Sequence, residues 1–156
     1  MGSTLVTGAN RGIGLELCKQ LKARGANVIG VCRKGSTELD ALDVRIEPGI
    51  DVSDASSVEQ LGKRLAGIEI DVLINNAGVL QPGSLERMSF KGIEQQFAIN
   101  ALGPLRVTNA LLPLLHDGSK VVIITSRMGS MADNGSGGYY GYRMSKAAVN
   151  AAGVSL

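Results

Sequence analysis

The sequence predicts an α/β fold built on a doubly wound parallel sheet. Short β-branched runs alternate with longer segments of helical spacing, glycines punctuate their ends, and the residues with chemical potential gather just after the apolar runs. At 156 residues and 44% hydrophobic content, the chain has the length of one domain with a substantial core. Right-handed crossovers place helices on both faces of such a sheet, and ligands bind at the carboxyl ends of its strands.

The first strand is Ser3–Thr7, followed by a glycine-rich turn and a helix over residues 12–24. A second strand covers 27–32 and a third 44–50, and the helix over 54–65 can be capped by Ser53 or Asp54. Residues 71–74 make a fourth strand. The stretch 90–115 carries Ile93, Phe97, Leu102 and Leu105 at helical spacing and predicts the longest helix, bent or divided by Pro104 and Pro113. Residues 120–125 contain Val121, Val122, Ile123 and Ile124 in succession, the pattern of a strand buried on both faces. A last helix runs from about Tyr140 to the chain end.

Sixteen basic and fourteen acidic residues leave a formal charge of +2, with no cationic run dense enough for nucleic acid. Cys18 and Cys32 form no CxxC pair and fall in apolar segments, so they read as reduced core thiols. No leader pattern opens the chain and no apolar run approaches the roughly 20 residues of a bilayer span, so the expectation is a cytoplasmic protein without membrane partners. Asn134, Gly135 and Ser136 match a glycosylation acceptor, which without a secretory signal reads as a turn. His116, the only histidine, reads as a charge at a helix C-terminus. No group of His, Cys and carboxylates has the spacing of a metal site.

TGANRGIG (residues 7–14) follows the first strand and opens the first helix, so main-chain N–H groups and the helix dipole face an anion there. The spacing is GxxxGxG, neither the GxGxxG fingerprint nor the GK[ST] ending of a triphosphate loop. With NNAG at residues 75–78 and YRMSK at 142–146, the sequence resembles the short-chain dehydrogenase/reductase family over its whole length. The wording around YRMSK is similar to the C-factor-like and sniffer-like carbonyl reductase branch. The resemblance implies a Rossmann-type sheet and a nicotinamide cofactor, contacted through Gly8, Asn10, Arg11, Gly12, Ile13 and Gly14. Asp51 and Val52 resemble the adenine-contacting pair, with helix capping as the competing reading of Asp51. Asn76, Ala77 and Gly78 resemble the segment bordering the adenosine ribose.

A carboxylate ending the second strand would favour NAD and repel the 2′-phosphate of NADP. Arg33 and Lys34 stand there instead, with Arg11 as a third cation, so NADP(H) is the expected cofactor.

Tyr142 and Lys146 lie four apart on one helix face, a separation neither Tyr139 nor Tyr140 has from a lysine. A phenol ordinarily titrates near 10, and a neighbouring ammonium favours the phenolate, which makes the pair an acid or base for neutral pH. By the resemblance, Ser126 binds the substrate oxygen, Asn100 holds a water leading from Lys146 to solvent, and Lys146 also holds the nicotinamide ribose. Sixteen positions separate Ser126 from Tyr142, which suggests a short insertion before Tyr140 and leaves Ser130 as the alternative serine. The implied activity is hydride transfer between NADP(H) and a carbonyl or secondary alcohol. A nucleotide-binding signalling module and an inactive fragment are the alternatives. The resemblance also implies two further strands, a PG loop and a substrate lid after Leu156, so the chain reads as truncated at its C-terminus. Small residues Ala147, Ala148, Ala151, Ala152 and Gly153 suit close helix packing, and the last two helices build a homodimer or homotetramer in the family.

Overall fold

The computed structural model describes residues 2–156. Five strands form one parallel sheet in the order β3-β2-β1-β4-β5: β1 Ser3–Thr7, β2 Asn27–Val31, β3 Arg45–Glu47, β4 Ile70–Asn75 and β5 Leu115–Ile123. The helices are α1 Gly12–Ala23, α2 Thr37–Asp40, α3 Ala55–Arg64, α4 Phe90–Asn100, α5 Leu102–Leu111 and α6 Tyr140–Ser155. The strand order reverses direction between β1 and β4, and the cleft opens at their carboxyl ends, where such sheets bind ligands.

Two apolar clusters fill the faces of the sheet. One gathers Leu5, Ile29, Leu73, Leu61, Val107 and Leu111 under α3 and α5. The other gathers Val6, Val28, Ile74, Cys18 and Leu39 under α1 and α2. Both cysteines are buried and free, and burial, aided by proximity to Cys32, raises the Cys18 thiol to about 11. Thiolates are scarce at such a site, which agrees with a core role.

Three helices, α2, α3 and α4, are closed at their starts by side chains, whereas α1, α5 and α6 are not. Ser36, Asp54 and Ser89 accept from Leu39, Ser56 and Gly92 amides at the starts of α2, α3 and α4. Asp54 is thus the cap of α3, and Asp51 is not. The four-residue α2 was not legible in the sequence, and β3 is shorter than residues 44–50.

The division of the 90–115 stretch expected from Pro104 is present, which leaves the 16-residue α6 as the longest helix, and two further expectations are corrected. In that stretch α4 ends at Asn100, and α5 starts afresh at Leu102 before a 3₁₀ turn, Leu112–Leu114. Pro104 has no N–H to offer the Asn100 carbonyl four residues earlier, so the helical ladder breaks there. The apolar run at 121–124 is not buried on both faces. β5 lies at a sheet edge, ends at Ile123, and leaves Val122 38% exposed. His116 sits in β5 and not at a helix end; its Nε2 lies 2.9 Å from Asp71 Oδ1 on β4. That carboxylate, with the Asp117 carbonyl, raises the imidazole above its usual range.

Candidate active site

A cleft of about 780 Å³ lies across the carboxyl ends of β1, β2 and β4. Of the residues expected to contact a nucleotide, Gly8, Asn10, Arg11, Gly12, Ile13, Arg33, Asp51, Val52, Asn76, Ala77 and Gly78 line it. Lys34, Val31, Cys32, Ile50, Val79 and Ile99 complete the walls. Apart from Lys34, these were missed, because an apolar residue at a strand end looks the same in sequence whether it faces core or cleft. Gly14, Tyr142 and Lys146 are expected contacts that do not line the cleft, the last two lying on α6; Gly14 has a packing reason. It is buried beneath the turn, where a Cβ would lie 2.2 Å from the Gly8 carbonyl oxygen and 2.5 Å from Asn76 Nδ2. Its lack of a side chain therefore serves the crossing of turn and strand.

Gly8 and Gly12 take φ of 69° and 56°, values that glycine adopts without cost. The helix they introduce, α1, has no side-chain cap: its N-cap, Arg11, makes no such bond. A Cβ on Gly12 would meet nothing within 4 Å. The start of α1 is thus a set of main-chain donors with a dipole behind it, opening into a cleft, and it fits a pyrophosphate. The turn is locked from β4: Thr7 Oγ1 accepts from the Asn76 and Ala77 amides at 3.0 Å each, and Asn76 Nδ2 donates to the Thr7 carbonyl at 2.9 Å.

At the β2 end, Arg33 Nη1 stands 3.9 Å from Asp51 Oδ2. Burial pushes the Asp51 carboxyl up, but bonds from the Ser53 hydroxyl and amide, with the Arg33 charge, hold it below its usual range. Asp51 is therefore an anion beside the exposed Arg33 at the cleft rim.

The catalytic candidates lie outside this cleft lining, around α6. Lys146 is 5% exposed, its Nζ donates to the Ile124 carbonyl at 2.8 Å, and it stands 5.8 Å from the centre of the Tyr142 ring. Burial lowers its pKa. Asn100, at the break between α4 and α5, is 1% exposed. Its Oδ1 accepts from the Val79 amide at 2.8 Å, while Nδ2 donates to the Val79 carbonyl at 2.8 Å and to Ser145 Oγ at 3.0 Å. Both amide protons are committed, so any water that Asn100 holds must donate to its oxygens; the main-chain oxygen is the one Pro104 leaves without a helical donor. Ser145 donates onward to the Tyr142 carbonyl at 2.9 Å. Val79 lines the cleft, so the chain Val79–Asn100–Ser145 joins the cleft wall to the helix bearing Tyr142 and Lys146.

Ser126 caps the 3₁₀ turn Arg127–Gly129 by accepting from the Met128 amide at 3.1 Å, which leaves its O–H proton free. Ser130 accepts from the Asp133 amide at 3.2 Å and is also a free donor. Ser126 is two residues from Ile124, whose carbonyl binds Lys146. The turn lies directly on α6, since a Cβ on Gly129 would come within 2.9 Å of the Lys146 main chain. Among the described residues no group of His, Cys and carboxylates could hold a metal, and no helix is long and apolar enough to cross a membrane.

A parallel sheet, a glycine-built anion cradle and a helix that sets a half-buried Tyr142 beside a buried Lys146 are the features of a nucleotide-binding oxidoreductase class. The family model described as short chain dehydrogenase matches residues 3–155, and the chain belongs to that family. Among curated relatives, 1-hydroxy-2-glutathionyl-2-methyl-3-butene dehydrogenase of a Rhodococcus species is 43% identical over all of this chain and 70% of its own length. C-signal of Myxococcus xanthus is 55% identical over 56% of this chain and 54% of its own, so the chain spans about half of that relative. A solved short-chain dehydrogenase/reductase from Burkholderia multivorans with bound NADP superposes with a TM-score of 0.90 at 34% identity, covering 99% of this chain and 71% of its own.

Proposed function

We propose that this chain is the single dinucleotide-binding and proton-transfer unit of an NADP(H)-dependent reductase acting on a carbonyl or secondary alcohol. The observation that carries the reading is the uncapped start of α1 opening into a cleft rimmed by Arg11, Arg33 and Lys34. A pyrophosphate would replace the missing cap, and guanidinium groups suit a 2′-phosphate. The NADP bound by the Burkholderia relative supports the same cofactor here. When bound, the cofactor supplies or accepts the hydride.

The chain's own residues handle the proton and the orientation. Ser126 donates its free O–H to the reacting oxygen. Tyr142 gives that oxygen a proton in reduction, or takes one in oxidation. Lys146, protonated and largely buried, favours the phenolate because opposite charge counts for more where water is excluded. Asn100 and Ser145 hold the helix at the height of the cleft wall, and the Asn100 oxygens offer the acceptors for a water leading to solvent.

Replacing Tyr142 by Phe removes one hydroxyl and leaves the helix contacts in place. Turnover of a model carbonyl compound with NADPH is expected to fall by roughly 10²–10⁴-fold, the usual contribution of a positioned acid or base. NADPH affinity should be unchanged. Turnover equal to the parent protein would remove Tyr142 from the chemistry.

A further inference from the structure

Residues 136–139, directly before α6, hold three successive left-handed conformations: Gly137 at φ 61°, Gly138 at 63° and Tyr139 at 53°. Glycine adopts these freely, but Tyr139 carries a Cβ that is disfavoured there. Such an outlier persists where its surroundings impose it, and it points to a purpose in the contacts that do so.

Two sets of contacts impose it. The Tyr139 amide donates to the Gly83 carbonyl at 2.9 Å, tying the turn to the segment between β4 and α4. From the other side comes the guanidinium of Arg143, the residue after Tyr142. Its Nε donates to the Gly138 carbonyl at 3.2 Å, and its Nη2 to Ser136 Oγ at 2.9 Å and to the Gly137 carbonyl at 3.4 Å. The Arg143 amide donates to the Tyr139 carbonyl at 2.9 Å, so side chain and main chain of one residue grip the same turn. Nη1 is buried without a partner. A donor left unsatisfied favours release of the side chain to water, and the fork on the remaining nitrogens is what opposes it.

We propose that Arg143 is a positioning residue for the reaction: by clamping the turn at 136–139 it fixes the first turn of α6, and with it the setting of Tyr142. The inference rests on the role given to Tyr142 above. Lysine at this position keeps the charge but has no planar fork to bind several acceptors at once.

The test compares the parent chain with Arg143→Ala, Arg143→Lys and the milder Ser136→Ala, which removes only the 2.9 Å bond from the loop side. Amide exchange at Tyr139 should accelerate by roughly tenfold or more in both Arg143 variants, the loss of a charge-assisted bond, with the β1 and β4 amides unchanged. Ser136→Ala should move the same way by less. Carbonyl turnover should fall by a similar factor with NADPH affinity held, and added guanidinium should restore part of it in Arg143→Ala. Unchanged Tyr139 exchange in the Arg143 variants, or turnover in Arg143→Lys equal to the parent, would overturn the proposal. Exchange is read without turnover, so a parent chain that reduces no carbonyl counts against the function proposed above and leaves the exchange result to decide this one.

Discussion

Around β1 and β2 the sheet is closed: all of β1 and four of the five residues of β2 are buried, and the cleft beside them is shaped by main chain, by glycines and by Thr7 and Asn76. On the other side, β5 lies at an edge with no fully buried residue, and the path to α6 runs through a 3₁₀ turn and three left-handed residues. There the arrangement depends on side chains, namely Asn100, Ser145, Lys146 and Arg143. The difference teaches that the proposed nucleotide cradle is built into the backbone, whereas the proposed proton-transfer site is assembled at a junction of irregular segments. The two should be separable by mutation.

The largest expected effect is on the junction. Lys146→Met should cost turnover roughly 10²–10⁴-fold, the scale of a lost acid–base contribution, while the cleft at the start of α1 remains intact. The same variant carries a pH signature. Because burial lowers the Lys146 pKa below 10.5, the unfolded chain holds its proton to higher pH than the folded one. That makes the charge a cost to the fold below the lowered value, easing as pH rises toward 10.5. The stability of the parent relative to Lys146→Met, followed by urea midpoints, should therefore increase with pH in the alkaline range. A flat difference would mean that burial does not disfavour the charge on Lys146.

An intermediate effect belongs to the cleft. Arg33→Asp should weaken NADPH binding by about 1.5–3 kcal/mol, the range for a hydrogen bond to a charged group. Parallel titrations with NADH should show little loss, since a carboxylate at that place accepts from the ribose hydroxyls. Equal losses for both nucleotides would place Arg33 away from the 2′-phosphate.

The smallest effect lies away from both candidate sites, where His116 at the start of β5 meets Asp71 on β4. The imidazole pKa is raised above 6.5, so the pair stabilises the fold fully below 6.5 and loses that contribution as pH rises through the raised value. His116→Gln should unfold at slightly lower urea than the parent on the acid side of 6.5, and at the same urea well above the raised value. A gap persisting at high pH would show that the side chain acts by packing.

The sequence made the cleft side readable because its signals are local. TGANRGIG names its own turn, and Arg33 follows a strand whose end is easily placed. Eleven of the expected contacts line the cleft, whereas Gly14 serves packing beneath the turn and Tyr142 and Lys146 lie on α6 outside the lining. The other side was less readable because its determinants are long-range. Whether the run at 121–124 is central or at an edge depends on strand order, and the fate of His116 depends on the register of β5 with β4. Pro104 signalled a division of the long helix, but that the break falls at Asn100, and that its amide grips Val79 and Ser145, depends on tertiary contacts. Nothing in the spacing of Ser136, Gly138 and Arg143 announces the clamp before α6.

Titrating the unaltered chain with NADPH and with NADH, followed by nucleotide fluorescence, tests the central claim most directly. Saturable NADPH binding, tighter than NADH by roughly tenfold or more as expected for one charge-assisted phosphate contact, is the predicted result. No binding, or NADH bound as tightly, would contradict it.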